Sequence, residues 1–170
     1  MKALKFNLHR VVVVGTLLPA APAAHAVENG FHPAKSAAEM ALDRVLKMAD
    51  GDEFQLDNLL HRYPVVPKKQ VDYRGMLTVK LIAAMQAEEH KLVAKDCGGR
   101  YLEGEICGMD YSPITCAQDT IAPYTYKTLT QRARDAIIAG PSATYRMIQV
   151  GSGWQIDGIK CTEGAAFNFR

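Results

Sequence analysis

Acidic and aromatic side chains that could form a contact surface or pocket are concentrated between positions 110 and 126. The sequence has Asp110, Tyr111, Asp119, Tyr124 and Tyr126 in this stretch. Phenols with polar neighbours are typical of contact surfaces, because they combine apolar area with hydrogen-bonding capacity. One alternative stays open: Tyr124 and Tyr126 could lie on one face of a strand and pack on a helix.

Asp157 is a sixth candidate, in the last predicted strand. Inside a cavity its carboxyl pKa would rise, and it could then act as a catalytic base. Trp154 and Ile156 are predicted to point inward, and Asp157 alternates with them. A surface or hydrogen-bonded position for Asp157 is therefore the alternative.

The four cysteines predict two disulfides. An even number of cysteines is typical of an oxidising compartment. The intervals of nine, eight and 44 residues do not fit the close pairs of a zinc site. The preferred pairing is Cys107 with Cys116 and Cys97 with Cys161. Its rival is Cys97 with Cys107 and Cys116 with Cys161.

Other motifs for catalysis or metal binding are missing from the sequence. Ser152 lies in Gly-Ser-Gly, which lacks the spacing of a nucleophile elbow. His90 falls within Glu88-Glu89-His90-Lys91, which is predicted to be the solvated face of a helix. Asp50-Gly51-Asp52 is predicted to be a turn, since its continuation departs from a calcium loop. The sequence therefore predicts no catalytic set, no metal site and no cofactor.

The first 26 residues are predicted to be a cleaved signal peptide. Lys2, Lys5 and Arg10 precede the apolar run at 11–18, and Ala24-His25-Ala26 is a small-x-small cleavage pattern before Val27. The apolar run is too short to span a bilayer, which needs about 20 residues. We therefore expect an exported protein, periplasmic or secreted, without a stable membrane anchor.

Removal of the signal peptide changes the charge balance. The whole chain has 20 basic and 18 acidic residues. Without the three basic residues of the signal peptide, the mature chain has 17 basic and 18 acidic residues and a net charge of −1. No basic tract suited to a phosphate backbone remains, so nucleic acid is not an expected partner.

Helices are predicted in the first half of the mature chain, after a loose arm at 27–35. Ser36 and Glu39 form a capping box that begins the first helix. A second helix is predicted over 53–63, followed by an extended connection at 64–73. The third and strongest helix covers 77–95 and ends at Gly98-Gly99. Its predicted buried face consists of Leu77, Leu81, Ala84, Met85 and Leu92.

Strands are predicted in the second half, after a disulfide-tied loop at 100–120. The expected strands cover 124–139, 144–150 and 154–161, and the last two are joined by the hairpin link Gly151-Ser152-Gly153. Gly158 shifts the alternation of the last strand as a bulge would. Helices followed by antiparallel strands predict one α+β domain over 36–170.

The stretch from Tyr145 to Ile159, with its Gly-rich turn and W-x-I-D-x-x-I strand, resembles the closing hairpin of nuclear-transport-factor-two-like (cystatin-like cone) proteins. The chain is similar in particular to an exported bacterial family of unknown function in that superfamily. This resemblance implies N-terminal helices packed on a curved, cone-like antiparallel sheet around a cavity. It does not carry over a catalytic set, because the matched positions lack one.

Three functions remain open at this level. The first is an exported, non-catalytic binding or interaction module with a protein partner, such as an immunity or inhibitor protein. The second is a carrier of a small apolar ligand. The third is an isomerase or dehydratase, with Asp157 or Asp119 as base and a tyrosine as acid. The lining of the pocket discriminates among them: exposed Tyr and Asp residues favour the first.

Overall fold

The computed structural model describes residues 30–51, 55–62, 73–102, 104–119 and 121–169. The predicted signal peptide and nearly all of the predicted connection at 64–73 lie outside the described residues. Within them, helices come first and antiparallel strands follow, so the α+β class is confirmed. No helix in these ranges is both long and apolar enough to cross a membrane.

The helices are α1 (Ala37–Asp50), α2 (Leu56–Leu60) and α3 (Val79–Cys97). The capping box at the start of α1 is confirmed: the Ser36 hydroxyl accepts from the Glu39 amide at 3.2 Å, and the Ser36 amide donates to the Glu39 carboxylate at 3.0 Å. The predicted stop of α3 is also confirmed, since Gly98 adopts a left-handed conformation with φ of 62°. A 3₁₀ turn, Tyr73–Gly75, precedes α3.

Within the described residues, five antiparallel strands form an open sheet in sequence order: β1 (Lys127–Gln131), β2 (Asp135–Ala139), β3 (Ala143–Val150), β4 (Gly153–Cys161) and β5 (Ala166–Phe167). The single strand predicted over 124–139 is wrong, because Arg132-Ala133-Arg134 turns the chain between β1 and β2. This turn contains none of the Gly, Pro or Asn residues that would have revealed it. The short β5 was not predicted.

Two other segments pair with the sheet. The amide and carbonyl of His32 exchange hydrogen bonds with those of Tyr126 at 2.9 and 2.8 Å, so this part of the predicted loose arm is attached to the sheet. Leu77 lies beside Ile156 in a parallel bridge, which brings the start of α3 against β4. Helices α1 and α3 both contact β4.

The last hairpin follows the sequence expectation with two differences. The predicted bulge is confirmed, because Arg146 pairs with Gly158 whereas the next residue, Met147, pairs with Ile156. The predicted burial of Ile156 is confirmed, and Ile159 is buried as well. Trp154 is a correction: it is half-buried and packs at the margin of the core. The turn itself has two residues, since Val150 pairs with Gly153.

Candidate functional site

Three of the six predicted contact residues meet in one surface cleft of about 300 Å³. Asp110, Tyr111 and Asp119 lie on one wall, and the end of α1 and the start of α2 form the other. We call this the 109–119 cleft. Its polar lining comprises Asp50, Arg62, Asp110, Tyr111, Ser112, Thr115, Gln118 and Asp119.

A tight turn shapes the wall of the cleft. The Ser112 amide donates to the carbonyl of Ala117 at 2.9 Å, and the Cys116 amide donates to the carbonyl of Ser112 at 2.8 Å. The turn is fastened to the sheet from below, because the Tyr145 hydroxyl donates to the carbonyl of the fully buried Ile114 at 2.9 Å. The backbone that carries the candidate residues is therefore tied directly to β3.

A disulfide fixes each end of segment 107–116: Cys97–Cys107 at its start and Cys116–Cys161 at its end. The preferred sequence-based pairing is therefore wrong and the rival pairing is confirmed. Cys107 packs with Val93 beside the last turns of α3, which places it next to Cys97. Tyr145 pairs with Ile159 in the sheet, so the turn that Tyr145 holds lies close to Cys161.

Glu89 is the main correction on α3. The sequence predicts it on the solvated face with Glu88, but its side chain is fully buried. The buried side of α3 consists of every fourth residue: Leu81, Met85, Glu89, Val93 and Cys97. Ala84 and Leu92, predicted to be buried, are half-buried. A strict four-residue spacing from Leu77 was the sequence signal that could have located Glu89.

The Glu89 carboxylate accepts hydrogen bonds from three segments of the chain. Arg62 donates from Nε to Oε1 at 2.8 Å, the Tyr101 hydroxyl donates to Oε1 at 2.6 Å, and the Met109 amide donates to Oε2 at 2.9 Å. Gly108 packs directly on the carboxylate, since a Cβ atom there would lie 2.3 Å from Oε1. We call Arg62, Glu89, Tyr101, Gly108 and Met109 the Glu89 cluster.

Arg62 belongs both to this cluster and to the cleft. Its Nη2 atom donates to the Met109 carbonyl at 2.6 Å. Burial lowers the Arg62 pKa, but the hydrogen bond and charge of Glu89, together with the charge of Asp57, raise it above its ordinary value. The guanidinium therefore stays charged and is held by a carboxylate behind the cleft wall.

Tyr124 and Tyr126 do not line the cleft. Both are buried, and their hydroxyls donate to Asp50 and Asp43 on α1 at 2.5 and 3.0 Å. Burial and these hydrogen bonds raise both phenol pKa values far above their ordinary value. They thus pack against a helix, which was the alternative left open by the sequence, and Tyr124 reaches the cleft only through Asp50.

Asp157 also lies away from the cleft, at the bulge in β4. It is buried and accepts from the Thr78 hydroxyl at 2.8 Å and from the guanidinium of Arg146. The Asn168 side-chain amide donates to its carbonyl at 2.7 Å. This confirms the hydrogen-bonded alternative: the Asp157 carboxylate joins the start of α3 to strand β3, and its backbone carbonyl binds the C-terminal segment.

Tyr111 reports the electrostatics of the cleft. Burial raises its phenol pKa above the ordinary value, and the negative charges of Glu88, Asp110 and Glu89 raise it further. Asp110 and Asp119 are exposed, whereas Tyr111 is half-buried. Asp110 accepts from the Gln118 side-chain amide at 2.9 Å across the turn.

The described residues contain no group of three His, Cys, Asp or Glu side chains arranged to hold a metal ion. Comparison of the chain with family models, curated proteins and solved structures finds no match, so the resemblance of the last hairpin stays a prediction.

Proposed function

We propose that the protein is an exported, non-catalytic binding module that takes up a segment of a protein partner in the 109–119 cleft. The observation that carries this proposal is that the cleft wall is fixed to the rest of the fold. Disulfides bond Cys107 to α3 and Cys116 to β4. A wall fixed in advance loses little conformational freedom on binding, which favours affinity.

The states of the titratable side chains support binding rather than catalysis. Asp157 is held by Arg146 and Thr78, and the raised pKa values of Tyr124 and Tyr126 keep their phenols protonated as structural donors. Among the titratable groups that line the cleft, Asp110 and Asp119 are exposed, and Tyr111 beside them is half-buried. Such a lining disfavours a carrier of apolar ligands, whose pocket would be mostly apolar.

Cysteine usage supports export. All four cysteines form disulfides, and such bonds persist in oxidising compartments such as the periplasm or the extracellular medium. The predicted signal peptide agrees with this location. We place the mature protein and its partner there.

The test replaces Tyr111 with a photo-crosslinking phenylalanine analogue in the full chain, expressed in the cells that produce it. Irradiation is expected to join the mature protein to one partner, which mass spectrometry identifies. The control places the same analogue at Glu163, an exposed position in the turn after β4. The adduct should be absent at position 163 and should weaken when Asp110 and Asp119 are both replaced by Asn.

Two outcomes would contradict the proposal. One is a set of adducts that is the same from positions 111 and 163, which would indicate random encounters. The other is no protein adduct at position 111 in a sample whose circular dichroism and melting temperature match the parent protein.

A further inference from the structure

The Glu89 cluster contains a buried ion pair, and its carboxylate is not among the proposed contact residues of the cleft. Glu89 has no exposed surface, and its donors come from positions 27 residues before it and 12 and 20 residues after it. A buried carboxylate with this many donors is costly to leave unpaired. The Glu89 carboxylate lies beside the backbone of Met109.

Both backbone polar groups of Met109 are bonded to this ion pair. Its amide donates to Glu89 at 2.9 Å and its carbonyl accepts from Arg62 at 2.6 Å. The Met109 side chain is buried as well. The next two residues, Asp110 and Tyr111, are the candidate contact residues, so the ion pair fixes the backbone from which both side chains leave.

Gly108 adds a steric argument. It has a φ of 86°, and its position leaves no room for a Cβ atom because the Glu89 carboxylate fills that space. Close backbone approach at a positive φ is the situation that glycine serves. The carboxylate and the backbone at 108–109 are therefore matched in shape as well as in hydrogen bonding.

We propose that Glu89 is a positioning residue of the 109–119 cleft: through Arg62 and the backbone of Met109, it holds Asp110 and Tyr111 in the conformation that receives the partner. The inference rests on the proposed function for the identity of the site. Arg62 acts here as part of the wall, since its guanidinium is occupied by Glu89, Met109 and Asp57.

The first readout needs no partner. Hydrogen exchange and the Tyr111 phenol pKa, followed by NMR of ring-labelled tyrosine, are compared in the parent, Glu89→Gln and Glu89→Met proteins. Loss of the positioning should speed exchange at 109–119 by about tenfold or more beyond any change in α1 and β3, whose core amides follow the free energy of global unfolding. The Tyr111 pKa should fall toward its ordinary value, because the wall opens and the Glu89 charge is gone.

The variants are graded so that a structural effect can be separated from positioning. Gln retains one acceptor oxygen and Met retains none, so Glu89→Met should open the wall more. Arg62→Lys keeps the charge but cannot bind Glu89 and Met109 with one planar fork, and is expected to be intermediate. Glu163→Gln, an equal charge change on an exposed side chain, should change neither readout.

If the single variants do not fold, the double variant Arg62→Met with Glu89→Met removes both charges together, which buried pairs often tolerate. Faster exchange at 109–119 in that folded protein supports the inference, and parental exchange overturns it. Exchange at 109–119 that rises no more than exchange in α1 and β3 also overturns it.

The second readout is the crosslink from position 111. Glu89→Gln should reduce it at least severalfold. A parent protein that gives no crosslink contradicts the proposed function, whereas the exchange data still decide whether Glu89 positions the wall. A parental crosslink in a Glu89→Gln protein with an opened wall would contradict the positioning role in binding.

Discussion

Glu39 on α1 and Glu89 on α3 are both buried helix glutamates, and both accept several hydrogen bonds. Glu39 accepts from the Lys35 and Ser36 amides at 3.0 Å, within the same helix end, and from the Thr128 hydroxyl at 2.7 Å. Glu89 takes its donors from three distant segments, and one of them is a guanidinium.

This difference shows two ways in which the fold fixes its backbone: local hydrogen bonds and long-range cross-links. The start of α1 is held mainly by neighbours three and four residues away, so local sequence is enough to form it. The described residues of segment 98–119 form little regular structure, and they are held by cross-links: two disulfides and the Glu89 cluster. We therefore expect substitutions in the second region to have larger effects on stability than those in the first.

Replacing Arg62 by Met should have the largest effect. It leaves the fully buried Glu89 carboxylate without its cation, and removing one partner of a buried pair costs about 3–5 kcal/mol. Urea denaturation followed by circular dichroism measures this free energy of unfolding. Arg132→Met, in the exposed β1–β2 turn, is the matched control and should change stability by less than about 0.5 kcal/mol. Equal losses in the two variants would refute the role of the ion pair.

Removing either disulfide should lower the free energy of unfolding, and the loss should be larger for the disulfide that closes the longer loop. Cys116 and Cys161 are 45 residues apart, whereas Cys97 and Cys107 are 10 apart. The chain-entropy relation gives about 4.0 kcal/mol for the first and about 2.7 kcal/mol for the second. Paired Cys→Ala variants unfolded in urea test this order. A larger loss from the shorter loop would mean that native contacts, rather than loop closure, dominate.

Gly108→Ala tests the steric fit between the backbone and Glu89. The added Cβ atom would meet the carboxylate, and the positive φ adds backbone strain, so we expect a loss of about 2–4 kcal/mol. Gly104 is the matched control because its φ is 81° and a Cβ atom added there would have nothing within 4 Å. Gly104→Ala should cost only about 1 kcal/mol from the positive φ. Similar losses at both positions would show that the carboxylate moves aside.

Ser36→Ala, at the start of α1, should have a smaller effect. It removes the acceptor for the Glu39 amide, and loss of an N-cap side chain costs about 1 kcal/mol. Ser36→Asn keeps a capping oxygen and should restore most of the stability. Thermal unfolding of the two variants provides the comparison. A loss as large as that of Arg62→Met would contradict the division between the two regions.

The smallest expected effect is on the pH dependence of stability, through the Glu39 carboxylate. Burial raises the Glu39 pKa, but the Ser36, Thr128 and Lys35 hydrogen bonds and the nearby His32 lower it below the ordinary 4.5. A folded-state pKa below the unfolded value adds stability that is present above pH 4.5 and is lost as the pH falls through the folded value. Unfolding between pH 6 and 3 should therefore depend less on pH in Glu39→Gln. An unchanged slope would contradict this.

The same division explains what the sequence could predict. The capping box, the glycine stop of α3 and the hairpin between β3 and β4 depend on residues close together in the chain, and all three were predicted, although the hairpin turn has two residues instead of the expected three. The four-residue spacing along α3 indicates that Glu89 is buried, but its hydrogen-bond donors lie up to 27 residues away, and no local pattern displays them. Three candidate contact residues did meet in the cleft, because they share one turn of the chain.

The partners of the four cysteines follow one another along the chain, first with second and third with fourth. A polypeptide that enters an oxidising compartment from its N-terminus would expose Cys97 and Cys107 before Cys116 and Cys161. Each thiol then meets its native partner first, with no wrong bond to exchange. We therefore expect the proposed export route to need an oxidant but no disulfide isomerase, unlike a route for chains with interleaved pairs.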